Sequence, residues 1–213
     1  HVLISVKNNL NLEDLIFKDG KVDGNGGAFV ISSFGSSLHM KRSVVRDCEA
    51  TVAGGAVHLE NGAVLVMEES TLTSNKAKFG GGLFAWKESK VTLVEGTTSY
   101  ISNNTAASHG GGLYVETAGT ILDITGSKTH LIVEGNTAQN GGGLAANTAS
   151  VINLSSGARV DVINNDASVN GGGLLCQSAT LVITGKETIM VVDKNTARSK
   201  NGGGINANLA VVT

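Results

Sequence analysis

The chain has no proline among its 213 residues, only two cysteines, and aromatic residues at 4%. The missing proline, set against 29 glycines, excludes a proline-rich linker and a collagen-like chain. Two cysteines, Cys48 and Cys176, cannot make a disulfide framework. Few aromatics mean that any core must be narrow and filled by Val, Ile, Leu and Ala, which the 41% apolar content allows. No apolar run reaches the roughly 18 residues of a membrane helix. A net charge of -2 gives no electrostatic reason to expect nucleic acid or an anionic bilayer. We expect neither nucleic-acid binding nor direct membrane insertion. The chain opens at His1 with no initiating Met and no signal-peptide pattern, and its periodic pattern reaches both ends. The expectation is one unit over 1–213, cut from something longer.

What the chain does have is repetition. An apolar residue, two positions and then a small polar residue, most often Asn, lead through a short segment to Gly-Gly and a β-former. Two of the cleanest copies run from Val133 through Asn136 and Ala138 to Gly141–Leu144, and from Val162 through Asn165 and Ala167 to Gly171–Leu174. The last glycine of each cluster falls at 27, 55, 82, 112, 143, 173 and 204, giving steps of 27–31 residues. A fixed period of this size marks a stacked array. Within one period, runs such as Leu83–Trp86, Lys90–Val94 and Ser99–Ser102 are short, β-branched and bounded by Gly, Ser and Asn, so they read as strands. No sustained helical periodicity competes. The fold expected is all-β: a right-handed single-stranded parallel β-helix of about seven coils, three short strands per coil. At the strand spacing it makes a rod about 34 Å long.

Stacked coils place like residues above one another. Phe17, Val45, Leu72, Ile101, Val133, Val162 and Val192, three positions before the polar residue, form one expected interior column. Asn75, Asn104, Asn136, Asn165 and Asn195 form an expected structural Asn ladder. Gly20 and Cys48 take the same slot in the first two coils and cannot supply an amide, so looser packing is expected there. Buried Asn at a bend also suits left-handed backbone geometry. Cys48 and Cys176 lie four coil steps apart, roughly 19 Å, so both are expected to be free thiols without zinc.

The motif apolar-x-x-Asn-x-Ala followed by Gly-Gly-apolar resembles the repeats of the chlamydial polymorphic membrane proteins. More broadly it is similar to β-helical passenger domains of autotransporter-like adhesins. The likeness is good over about residues 72–207 and poor over 15–59, where Gly20 and Cys48 replace Asn. It implies a right-handed β-helix at the cell surface with a role in adhesion.

Catalytic motifs are weak. His109-Gly-Gly-Gly112 looks like an esterase oxyanion loop, but it fills the slot of Asn140–Gly143 and Asn201–Gly204, and no Gly-x-Ser-x-Gly elbow exists. Gly185-Lys186 lacks the rest of a phosphate loop, and calcium-binding nonapeptides are missing. Asp123, Asp161, Asp193 and the pair Glu68-Glu69 do not recur at the coil period, as a glycan-cleaving site would require. No catalytic residue, metal or cofactor is expected. Asn103 and Asn153 fit the glycosylation acceptor pattern, a common coincidence in such a chain.

Counting from the last glycine of each cluster, offsets +1 and +3 read as inward and offsets +2 and +4 as outward. Outward positions then include Phe29, Ile31, Val57, Leu59, Phe84 and Trp86. Large apolar residues gathered on one face suggest an interface, with another chain or a neighbouring segment of a larger surface assembly as partner. The alternative is that inside and outside are exchanged on this strand. The functional expectation is a non-catalytic extracellular scaffold, spacer or adhesive segment, with end-to-end self-association through uncapped coils. Two alternatives stand beside it: a subunit of an extracellular hair or filament, and a polysaccharide-acting enzyme with its site elsewhere.

Overall fold

A computed structural model describes residues 4–199, 201–208 and the backbone of 211–212. Every regular element among them is a β-strand. The strands form four parallel sheets that run the length of the molecule, two of eight strands and two of seven, and each strand pairs with its equivalent one coil away. The result is a parallel β-solenoid of about seven turns.

The fourth coil, counted from Leu113, shows the plan: Leu113–Glu116 in the first sheet, Ile121–Thr125 in the second, His130–Glu134 in the third and Thr137–Asn140 in the fourth. The first three are the strands legible in the sequence. The fourth, after the Asn, is an addition to the three-strand expectation. Its buried residue is the alanine of the motif, Ala106, Ala138 and Ala167 in successive coils, flanked by residues that are exposed or half-exposed. A single small apolar residue per strand gives too weak an alternation to read as β.

The interior is a set of vertical stripes. Leu113 lies over Leu144 and Leu144 over Leu174. Phe17, Val45, Leu72, Ile101, Val133, Val162 and Val192 follow one another in register. Val45, Leu72, Ile101, Val133 and Val162 are all fully buried.

The glycine triplets have three separate causes, seen at Gly110–Gly112. Gly110 has φ of 64°, a left-handed conformation that costs an L-residue about 1–2 kcal/mol. A Cβ on Gly111 would lie 2.3 Å from the Gly142 carbonyl oxygen and 2.5 Å from that of Thr137, so the next coil's backbone excludes it. A Cβ on Gly112 would press on the Asn136 amide at 3.0 Å.

In the first two coils Ala28 and Ala56 take the third glycine's slot. Their amides continue the same ladder, Ala28 to the Ala56 carbonyl, Ala56 to Gly82 and Gly82 to Gly112, each at 3.0 Å. The true start of the first-sheet strand is therefore Phe29 and Val57, paired with each other and with Leu83. Counting from the last glycine is one residue out in these coils, and a one-residue slip reverses every side chain. Phe29, Ile31, Val57 and Leu59 are thus core residues with no exposed surface, not part of an outer face. Phe29 packs edge-on against Phe17, ring centres 4.9 Å apart.

Candidate functional site: an aromatic groove beside an asparagine ladder

Between the third and fourth strands the polar column forms a continuous hydrogen-bonded ladder. The Asn136 side chain accepts from the Asn104 backbone N–H at 2.9 Å and from its amide Nδ2 at 3.0 Å. Its own Nδ2 donates to the Ile101 carbonyl at 2.9 Å and to Asn165 Oδ1 at 3.0 Å. Asn75, Asn104, Asn165 and Asn195 carry the same pattern along the column. The ladder begins at Cys48, whose N–H donates to Asn75 Oδ1 at 3.0 Å. The left-handed residue at this bend is the one before the Asn (Ser74, Asn103, Gly135, Asn164 and Lys194), not the Asn itself. Beside Gly20 and Cys48, where the ladder lacks amides, lies a cavity of about 210 Å³ that Phe17 and Ala28 also line.

Across the glycine corner the fourth and first sheets make a re-entrant angle on the outside of the coil. Phe84, Tyr114, Ala145 and Leu175 point out of the main core, yet they are almost wholly buried, because they meet Ala53, Phe79 and Trp86 in a second apolar cluster. Of the six residues expected at an interface, only Phe84 and Trp86 belong to this outer face. Sequence reading turned Val30 and His58 inward, because the slipped alignment split one column into two, and it put Tyr114 and Leu175 on the outward offset without counting them at the interface. The His58 and Phe84 rings stack at 5.4 Å, Phe84 and Tyr114 are 5.2 Å apart, and His109 stacks on Tyr114 at 5.6 Å. Lys87 Nζ lies 3.8 Å from the Trp86 ring centre.

The polar groups here are strongly affected by burial. Burial holds the His58 and His109 imidazoles below their ordinary range, so both favour the neutral form. It pushes the Tyr114 hydroxyl well up, against a hydrogen bond from Asn147 Nδ2 at 2.9 Å. His58 is 2% exposed and neither ring nitrogen has a hydrogen-bond partner, the Glu60 carboxylate standing off at 3.8 Å. A cavity of about 330 Å³ opens here, lined by His58, Phe79, Phe84, Trp86, Glu116 and Asn25 among others.

Other candidate chemistry is spoken for. Asp123 is paired with Lys90 at 2.7 Å and accepts from Asn153; burial acts to raise its carboxyl, but these two partners hold it below the usual range. Asp161 is held by His130 at 3.0 Å and Arg159 at 2.9 Å, on a different sheet. Asp193 faces Lys194, and Glu68 lies between His39 and Lys41. His109 is the last residue of a fourth-sheet strand, with Asn140 as its register partner. Among the described residues no three His, Cys, Asp or Glu side chains gather as metal ligands. Cys48 and Cys176 are free and buried, and burial raises both thiols. Asn103 is exposed at its bend, whereas Asn153 is half-buried and engaged.

The stretch Thr98–Glu116 contains a third-sheet strand, the Asn104 rung, the glycine triplet, and the groove residues His109, Tyr114 and Glu116. This stretch decides the likeness. Residues 98–116 match the Chlamydia polymorphic membrane protein repeat. The matched stretch covers three of a turn's four strands, in the third, fourth and first sheets, and a repeat of this kind agrees with the stacked solenoid. No curated protein and no solved structure matches the chain. No helix among the described residues is long and apolar enough to cross a membrane.

Proposed function

We propose that this chain is a non-catalytic β-solenoid segment of a surface protein, a rod that carries an adhesive face. The observation that supports it is the second apolar cluster, from Ala53 to Leu175, which lies outside the core and spans five successive coils. Most of the cluster is buried, and its partly exposed edge, Phe79 and Trp86 at the cavity, suits contact with a partner. The surface location rests on the repeat at 98–116 and on the kind of protein its name describes. Its partners in this reading are other chains, cell surfaces or neighbouring segments of the same assembly, and stacking of chains end to end is a further mode of contact.

Beads coated with the 213-residue chain should adhere to cultured epithelial layers, and Trp86→Ala with Phe84→Ser should reduce that adhesion. Absence of adhesion above uncoated beads would remove the adhesive reading and leave the scaffold role. Turnover of acidic glycans by the purified chain would overturn the non-catalytic reading.

A further inference from the structure

We infer that the re-entrant groove is a binding site for a neutral glycan chain, an inference that rests on the adhesive reading above and names its ligand class. Three observations carry it. His58 is buried to 2% exposure at the wall of the 330 Å³ cavity with both ring nitrogens unpartnered. A neutral imidazole presents one donor and one acceptor. A hydroxyl group satisfies either nitrogen, since it both donates and accepts. Both nitrogens are closed to solvent, so a ligand hydroxyl reaches one by displacing the side chains that cover the ring and there supplies the partner it lacks. Asn25 Oδ1, also at this cavity, and Asn147 Oδ1, one coil beyond Tyr114, are buried and unpartnered in the same way.

The second observation is the mixture of surfaces. Phe79, Phe84 and Trp86 offer aromatic carbon beside the Glu116 carboxylate and the Asn25 amide. A sugar ring has C–H faces for the first and a rim of hydroxyls for the second. Farther along the same face the aromatics give way to planar amides, Asn147 and Gln177 following Trp86 and Glu116 in register, with Asn208 next. Amides placed one coil apart, about 4.8 Å, can serve successive units of an extended chain. The charges are balanced and so do not favour an acidic polymer: the Glu60 and Glu116 carboxylates are matched by Lys87 over Trp86 and Lys78 over Phe79.

The third observation excludes the commonest rival. First-sheet strands along the groove are hydrogen-bonded to a neighbouring strand on both sides, so no backbone edge is open for a peptide to add as a strand.

The test is a surface-immobilised panel of neutral oligosaccharides built from glucose, galactose, mannose and N-acetylhexosamines, with extended basic, acidic and apolar peptides as controls. It is probed with the intact chain, Trp86→Ala and His58→Phe. His58→Phe keeps the ring stacked on Phe84 and removes both nitrogens. The chain should bind at least one neutral glycan series, with affinity growing with chain length, and Trp86→Ala should weaken it about tenfold or more. His58→Phe should weaken it several-fold while the thermal midpoint stays within a few degrees. Binding to peptides alone, to no glycan, or equally by all three proteins would overturn the inference. Bead adhesion that neutral oligosaccharides fail to compete would sink the glycan site and leave the adhesive reading standing.

Discussion

Asn136→Ala tests how much the amide ladder contributes. Asn136 is fully buried, and its side chain makes four hydrogen bonds. Without it the Asn104 backbone N–H loses its acceptor and the Ile101 carbonyl loses its side-chain donor. Asn104 Nδ2 keeps the Leu72 carbonyl at 3.0 Å, and Asn165 Oδ1 keeps the Asn136 backbone N–H at 2.9 Å. One buried group, the Asn104 N–H, is therefore orphaned, while the Ile101 carbonyl stays within its paired strand, for a loss of about 1–3 kcal/mol. Asn195→Ala, at a half-buried rung where water can replace the amide, should lose about 1 kcal/mol or less. Asn136→Asp should be at least as damaging as Asn136→Ala, because a second oxygen would face the Ile101 carbonyl and Asn165 Oδ1. Urea unfolding followed by far-UV circular dichroism measures all three, with slopes compared to detect coils melting separately. A loss under about 0.5 kcal/mol for Asn136→Ala, or Asn136→Asp proving the more stable, would refute the ladder as a stabilising element.

Phe29→Ala should cost about 3–5 kcal/mol as a core truncation, whereas Trp86→Ala, at a half-buried outer position, should cost clearly less; thermal melts of the two compare them. Gly111→Ala should be far more damaging than Gly96→Ala. The first meets backbone at 2.3 Å, while the second has no atom within 4 Å and bears only the left-handed cost of about 1–2 kcal/mol. His58 and His109 have folded-state affinities for protons lowered by burial, so the unfolded chain binds protons more readily between the folded and unfolded values. Their contribution is complete above the unfolded value of about 6.5 and is lost as pH falls below it. The thermal midpoint should thus be lower at about pH 5.5 than at about pH 7.5, and His58→Phe should shrink the difference. The Cys48 and Cys176 thiols should react with a disulfide reagent only as fast as the chain opens, since both are buried with raised affinity for their protons. Fast reaction of either in the native state would contradict their placement.

The parts of the fold legible in the sequence are those where one residue type dominates a column. Leu113, Leu144 and Leu174 repeat almost without change, as do the Val and Ile before each Asn, so period and inner stripes could be read directly. The slip at Phe29 and Val57 arose because glycine was treated as a marker rather than a cause. The third slot requires only a residue small enough for its neighbours, and Ala28 and Ala56 meet that condition. Once the slot is aligned by backbone pairing, Val30, His58, Phe84, Tyr114, Ala145 and Leu175 fall into one outer column, and the groove appears. The burial of that column was not legible, because it depends on Phe79 and Ala53 reaching around the corner from a strand with hardly any apolar alternation.

Spin labels at Arg46 and Asp193, with the buried cysteines left unmodified, measure the stacking itself. Both lie in one third-sheet column through Thr73, Ser102, Glu134 and Ile163, five coil steps apart. The backbone separation expected is about 24 Å, and a label pair at Ser102 and Asp193 should read about 14 Å, a constant increment per coil. A broad distribution, or separations that do not scale with the number of coils between the labels, would contradict the stacked solenoid.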